Sequence, residues 1–214
     1  RSKETQMADK KSVLKSLKDD DIPYVDLRFC DPKGKLQHVT VDSDLVDEDF
    51  LDEGFMFDGS SIAGWKSIEK SDMKLMADPA SAYVDPFYAE KTLCLHCSVL
   101  EPDTNEPYER DPRGTAQKAE AFLKQTGIGD TFYCGPEAEF FLFDDVRFSN
   151  VPNKVSFEID AVDAAWNTDT IYEMGNMGHR AGVKGGYFPV PPVDAAQDIR
   201  GEMLSTMKRM GMKV

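Results

Sequence analysis

No apolar run in this chain approaches the ~18 residues needed to cross a bilayer, and no charged start leads into a signal-like apolar core. Neither a membrane span nor a secretory leader is expected, and the chain is read as cytoplasmic. Basic residues are short: 25 Lys and Arg stand against 39 Asp and Glu, a net charge of −14. That excess disfavours attraction to nucleic-acid phosphates and anionic membranes, so neither is expected as a partner. Cysteine is sparse, with four residues, and in a reducing compartment these are not expected to form disulfides. Cys94 and Cys97 form a C-x-x-C, but it lies inside Thr92–Leu100, which has no Gly or Pro to turn it. Residues three apart in a strand point to opposite faces, so these thiols read as small buried residues rather than a metal grip.

Several motifs are missing as well. The glycine-rich stretch Gly175–Gly186 lacks the G-K-[ST] of a Walker loop and the Rossmann G-x-G-x-x-G, and its His179–Arg180 pair reads as ordinary surface. Gly59-Ser-Ser-Ile-Ala63 fails the G-x-S-x-G spacing of a hydrolase elbow. What is present is an ordinary globular composition, 41% hydrophobic and 10% aromatic, long enough for one or two domains.

Residues 1–7 are set apart as an expression remnant or an upstream extension. Val13, Leu14 and Leu17 at helical spacing predict a first helix over Asp9–Lys18. Val25, Leu27 and Phe29 alternate with Asp26 and Arg28, as in a half-buried strand. Asp31-Pro-Lys-Gly34 has type I turn chemistry and leads into alternating Leu36–Val41, which predicts a hairpin. Asp42–Glu53 carries seven carboxylates and no base, with Leu45, Val46, Phe50 and Leu51 near helical spacing; this reads as a solvated amphipathic helix. Gly54–Trp65 reads as a Gly- and Ser-rich loop with exposed aromatics. Strands around Met73–Met76 and Lys91–Leu100 complete a β-rich unit, giving a domain over 8–105.

The polar stretch Glu101–Gly114, with three prolines, marks the boundary to a second region over 106–214. Asp111-Pro112 supplies a helix cap and first turn, Ala116, Ala119, Phe122 and Leu123 the buried stripe, and Gly127 the stop. A central strand buried on both faces is predicted from Phe132 through Phe143. A last helix is predicted to open at Asp194, with Ile199, Met203, Met207 and Met210 as its core face. His38 and His96 read as structural residues without partners, and Met212–Val214 reads as the start of another strand.

Within Gly135–Asp144, a period of two puts Glu137, Glu139, Phe141 and Phe143 on one face. Charged groups entering a buried strand need compensation, because desolvation costs several kcal/mol. Residues two apart in a strand are separated by about 6.6 Å, which suits carboxylates holding one each of two neighbouring hard cations. A strand end with exposed glutamates fits the same spacing. Asp58, followed by Gly59, Ser60 and Ser61, is compatible both with a capped turn and with a catalytic loop.

Three segments taken together, Phe57-Asp-Gly-Ser-Ser-Ile-Ala-Gly-Trp65, Gly135-Pro-Glu-Ala-Glu-Phe-Phe-Leu-Phe-Asp144 and Lys184-Gly-Gly-Tyr-Phe-Pro-Val-Pro-Pro-Val-Asp194, resemble bacterial type I glutamine synthetase in composition, order and spacing. The similarity runs from about Tyr24 to the last residue. The resemblance implies an α+β fold: a small β-grasp-like N-terminal domain, then the truncated start of an α/β catalytic domain with a mainly antiparallel sheet. It implies an ATP-dependent ligase joining glutamate and ammonium through γ-glutamyl phosphate, with Mg2+ or Mn2+ as cofactor. Its active sites would lie between subunits of a homo-dodecamer. By the same resemblance Glu139 would ligate the metal nearest glutamate and Glu137 the metal clamping the ATP phosphates, while Asp58, Ser61 and Tyr187 would form the ammonium pocket. Asp58 would draw off the ammonium proton. The family's remaining metal ligands and most of its nucleotide contacts fall beyond Val214, so the chain by itself is expected to be inactive. The alternatives are a γ-glutamyl-amine ligase of the same fold and a noncatalytic scaffold fragment.

Overall fold

Polar side chains at the ends of short apolar segments set the first elements. The structure, a computed structural model, describes residues 9–161 and 184–214. Helix α1 (Lys10–Asp19) starts at Asp9, whose carboxylate accepts the Ser12 amide at 2.8 Å while the Ser12 hydroxyl lies 3.3 Å from the Asp9 amide, a reciprocal cap. Its Val13 and Leu17 are buried. Strand β1 (Tyr24–Cys30) turns through Asp31–Gly34 into β2 (Leu36–Asp42). In the turn the Gly34 amide donates to the Asp31 carbonyl at 3.0 Å, and Gly34 takes φ +84°, open to glycine without strain. The Asp31 carboxylate accepts the amides of Lys33 and Lys35, both at 2.9 Å, and the Gln37 side chain at 3.1 Å.

The acidic stretch Asp42–Glu53 is not one helix. Asp42 ends β2 and caps a single 3-10 turn at Ser43–Leu45; Asp47 then caps α2 (Glu48–Glu53), its carboxylate accepting the Phe50 amide at 2.8 Å. Two Asp side chains that restart the backbone outcompete the continuous helix its spacing suggested. The following loop also begins as a strand, β3 (Phe55–Asp58), and its aromatics are not exposed. Trp65 is buried, with ring centroids 5.5 Å from Phe29, 6.1 Å from Phe57 and 5.4 Å from Tyr108.

Strands β4 (Asp72–Ala77), β5 (Tyr83–Val84) and β6 (Thr92–Leu100) complete a mixed sheet in the order β2-β1-β6-β4-β3, with β5 also paired to β6. Only the central β1–β6 pair is parallel; the others are antiparallel. Val25, Leu27 and Phe29 on one face of β1 are buried in the core, and so is Asp26 on the opposite face. Leu93, Leu95, Val99, Met73 and Leu75 join Val13 and Leu17 of α1 in one core.

Helix α3 (Pro112–Thr126) opens on Asp111 and closes at Gly127 as predicted, but its apolar stripe is not buried. Ala116, Ala119 and Phe122 are exposed, because among the described residues no layer covers that face. The described residues form two compact units, 9–133 with 206–214, and 134–161 with 184–205.

In the second unit a hairpin of β7 (Asp145–Val151) and β8 (Lys154–Asp160) pairs Val146 with Ile159 and Phe148 with Phe157. The alternation of Val146 and Phe148, then Val155 and Phe157, about Pro152-Asn153 carried this signal unread. The strand predicted over Phe132–Phe143 is absent: residues 131–143 have no ladder partner among the described residues, and Phe141 is 85% exposed. A strand buried on both faces exists only by virtue of neighbours, and none is described beside this one. Helix α4 (Gln197–Arg209) starts three residues after Asp194, whose carboxylate instead accepts the Ala196 amide at 3.1 Å and pairs with Arg200. Its Ile199 and Met203 are substantially exposed, and Met212–Val214 forms no strand. His179 and Arg180 of the glycine-rich stretch lie outside the described residues.

Candidate functional site

Strand β3 ends on Asp58, paired across the ladder with Asp72. There the chain leaves the sheet, and the Asp58 carboxylate caps the next turn: Oδ1 accepts the Ser60 amide at 2.8 Å and the Ser60 hydroxyl at 2.6 Å, and Oδ2 lies 3.5 Å from the Ser61 hydroxyl. The Ser60 hydroxyl and amide, helped by Ser61, hold the carboxyl below the usual carboxylate range. Asp58 is therefore an exposed, oriented anion at neutral pH, and the geometry is that of the capped turn. Gly59 is required by packing. A Cβ there would stand 2.3 Å from Met73 Cγ and 3.1 Å from the Ser71 carbonyl, which accepts the Gly59 amide at 2.6 Å.

Asp58 and Ser61 thus stand together in the first unit. Glu137, Glu139 and Tyr187 belong to the second. Both glutamates are exposed on the stretch 131–143, which forms no regular element. Tyr187 is 86% exposed and meets the Phe188 ring edge-on at 4.8 Å. Among the described residues no group of three or more His, Cys, Asp or Glu converges as a metal cage. Two carboxylate donors two residues apart suit a hard, oxygen-seeking divalent cation such as Mg2+ or Mn2+, but leave further ligands to be supplied.

The charged cluster on the other face of β1 went unread in the sequence. Asp26 is fully buried; Arg28 Nε donates to its Oδ2 at 2.8 Å, Thr40 Oγ1 to Oδ1 at 2.7 Å, and His38 Nδ1 lies 2.7 Å from Oδ1. His38 therefore has a partner, contrary to expectation. Burial pushes the Asp26 carboxyl up, but the bonds from Arg28, Thr40 and His38 outweigh it and hold it below the usual range. Arg28 also reaches Asp85 at 2.8 Å and the Tyr83 hydroxyl at 2.5 Å, and its guanidinium lies 5.7 Å from the Tyr83 ring centroid. The alternation around β1 treated Asp26 and Arg28 as solvent-facing; their i, i+2 spacing with opposite charge was the available signal. Beside them Cys94 and Cys97 are free thiols. Burial pushes Cys94 up to about 11 and Cys97 up to about 12, so both thiols are protonated and poor nucleophiles at neutral pH.

Residues 21–102 match the glutamine synthetase β-grasp domain and residues 109–214 the glutamine synthetase catalytic domain. The sheet with its central parallel pair is therefore a β-grasp N-terminal domain, followed by the start of a catalytic domain. The chain belongs to the glutamine synthetase family. It is 70% identical over 202 residues to the glutamine synthetase of Cereibacter sphaeroides, covering 94% of this chain and 43% of that protein. It is also 70% identical over 204 residues to that of Rhodobacter capsulatus, covering 95% and 46%. The Salmonella typhimurium glutamine synthetase is 55% identical over 202 residues, covering 94% and 43%. A cryo-EM structure of Plasmodium falciparum glutamine synthetase shares the fold, with a TM-score of 0.79 at 21% identity, over 98% of this chain and 42% of that one. The chain thus spans less than half the length of the curated relatives it matches.

Proposed function

We propose that this chain contributes the β-grasp domain and the opening part of the catalytic domain of an ATP-dependent glutamate–ammonia ligase. In the reaction the glutamate side-chain carboxylate takes the γ-phosphoryl group of ATP, and ammonia displaces phosphate from the resulting γ-glutamyl phosphate. The reading is carried by one observation: in a chain matched by both family models, the Asp58 carboxylate is exposed, ionised and oriented by Ser60 and Ser61.

An ammonium ion is a compact cation with four donors, and ammonia is a nucleophile only after one proton leaves. Asp58 attracts the ion by charge and accepts that proton, acting as general base. The hydroxyls of Ser61 and Tyr187 accept hydrogen bonds from the same ion. Glu139 would hold the divalent cation nearest glutamate and Glu137 the one nearest the ATP phosphates, with further ligands supplied from elsewhere. A divalent cation there stabilises charge on the transferring phosphoryl group. In a homo-dodecamer of cytoplasmic full-length chains, Asp58 serves the catalytic domain of the neighbouring subunit. A domain division at 105/106 is supported by matches that end at residue 102 and resume at residue 109, and residues 106–214 would hold only part of the ligand set.

The test is glutamine and phosphate formation by the full-length protein from glutamate, ATP and ammonium. Asp58→Asn is expected to lower turnover sharply at subsaturating ammonium. Unchanged ammonium dependence would overturn the assignment. The 214-residue chain alone is expected to release neither product.

A further inference from the structure

The Asp58 loop is tied down at both ends, and the far tie comes from a different part of the chain. At the near end, β3 pairs with β4 and the Gly59 amide bonds the Ser71 carbonyl at 2.6 Å. From there to Gly64 the loop's backbone makes few bonds, the Ile62 amide to the Gly59 carbonyl at 3.2 Å and the Trp65 amide to the Ile62 carbonyl at 3.1 Å. At the far end Arg110 Nη1 donates to the Gly64 carbonyl at 2.6 Å. Lys66 Nζ then meets both carboxylate oxygens of Glu101, at 2.6 and 2.7 Å, and lies 5.1 Å from the Tyr108 ring centroid.

The segment that supplies Glu101, Tyr108 and Arg110 is itself fixed to the sheet. The Glu101 amide bonds the Glu106 carbonyl and the Tyr108 amide the Val99 carbonyl, both at 2.9 Å. The buried Asp111 carboxylate accepts the Val99 amide at 3.0 Å. Arg110 thus bridges a rigid support to a loop carbonyl that has no strand partner. It is about half exposed, so the core does not depend on it.

We propose that Arg110, assisted by the Lys66–Glu101 pair, is a positioning residue that holds the Asp58 loop in the geometry that presents its carboxylate. The consequence for ammonium rests on the function proposed above; the clamp on the loop does not. Arg110 touches no reacting atom and acts by removing backbone freedom between Gly59 and Trp65. A loose loop spreads the carboxylate over many orientations, so binding of a small cation weakens while contacts to larger substrates elsewhere are spared.

Hydrogen exchange on this chain tests the clamp. In Arg110→Ala the Ile62 and Trp65 amides should exchange about tenfold faster, the fold-change equal to about 1.4 kcal/mol and the scale of one hydrogen bond. Amides of β1 should be unchanged, which separates local loosening from unfolding, and Arg110→Lys, which keeps a donor, should restore part of the protection. Equal exchange in all three chains would overturn the proposal. In the full-length protein Arg110→Ala should raise the ammonium KM about tenfold more than the glutamate or ATP KM. An unaltered ammonium KM in Arg110→Ala, beside an impaired Asp58→Asn, would refute the positioning role. An unimpaired Asp58→Asn would instead refute the functional reading, leaving the clamp to the exchange result.

Discussion

Arg28 closes on Asp26 two residues back along the same strand, Nε to Oδ2 at 2.8 Å, with the carboxylate fully buried and the guanidinium nearly so. Removing one charge of a buried pair strands the other in low dielectric. Arg28→Met is therefore expected to destabilise the chain by about 3–5 kcal/mol, read from the denaturant midpoint, whereas Lys15→Ala in the exposed Lys15–Asp19 pair should cost under about 1 kcal/mol. Equal costs for the two would refute the view that Asp26 is held by Arg28.

Stability should fall on acidification in two windows. His96 is half-buried, and burial, then the nearby Arg113 and Arg28, lower its folded-state value below the ordinary 6.5. The unfolded chain then binds the proton first, so stability is lost as pH drops through about 6.5 and below. Asp26, also lowered, contributes stability that is present above the ordinary carboxylate value of 3.8 and is lost as pH falls below it. Denaturation midpoints from pH 8 to 3 should show both steps, and His96→Gln should remove the upper one.

Asp111 satisfies three amides at once, Val99 at 3.0 Å and Arg113 and Gly114 both at 3.1 Å. Replacing it with Ala removes a helix cap and leaves a buried β6 amide unpaired, a loss of about 2–4 kcal/mol. Asp111→Asn keeps an acceptor oxygen and should recover part of the difference in the same unfolding assay.

Gly59→Ala should cost about 1–3 kcal/mol by overpacking, because its Cβ meets the fully buried Met73 side chain. Truncating Met73 to Ala in the same chain removes the Cγ that the new Cβ would meet and should return part of that loss, so the pair should be measurably non-additive in a double-mutant cycle.

Thiol alkylation should order the four cysteines by access. Cys134 is exposed and should react first, Cys30 more slowly, and Cys94 and Cys97 only on unfolding, since both are buried and strongly protonated. In the full-length protein Glu139→Ala should weaken Mg2+ or Mn2+ binding in a metal titration while leaving β-grasp stability unchanged.

Local chemistry was legible wherever one side chain decides one backbone turn. The first helix, the Asp111 cap, the Asp31–Gly34 turn, the Gly127 stop and the strand around Cys94 and Cys97 all follow from residues a few positions apart. So does the family, because the Asp58 loop, the Gly135–Asp144 segment and the Tyr187 segment are written contiguously. The carboxylate orientation at Asp58 was half legible: its spacing to Ser60 and Ser61 allowed a cap, and only coordinates showed that the cap leaves the anion exposed.

What the tertiary structure alone decided was which charges are buried and what holds the loop. Period-two alternation assigns β1 one wet face, and it cannot see that β2 and β6 flank the strand and that Tyr83, Asp85 and His38 gather over Asp26 and Arg28. Nor can it link Gly64 to Arg110, 46 residues away. The sequence by itself determined turns, caps and kinship, since those depend on neighbouring residues. Pairing across the sheet, the Asp26–Arg28 cluster and the Arg110 clamp depend on long-range closure, which no local pattern encodes. The stretch around Glu137 and Glu139 makes the same point in reverse: its strand pattern is strong, yet without a partner beside it among the described residues it forms no ladder.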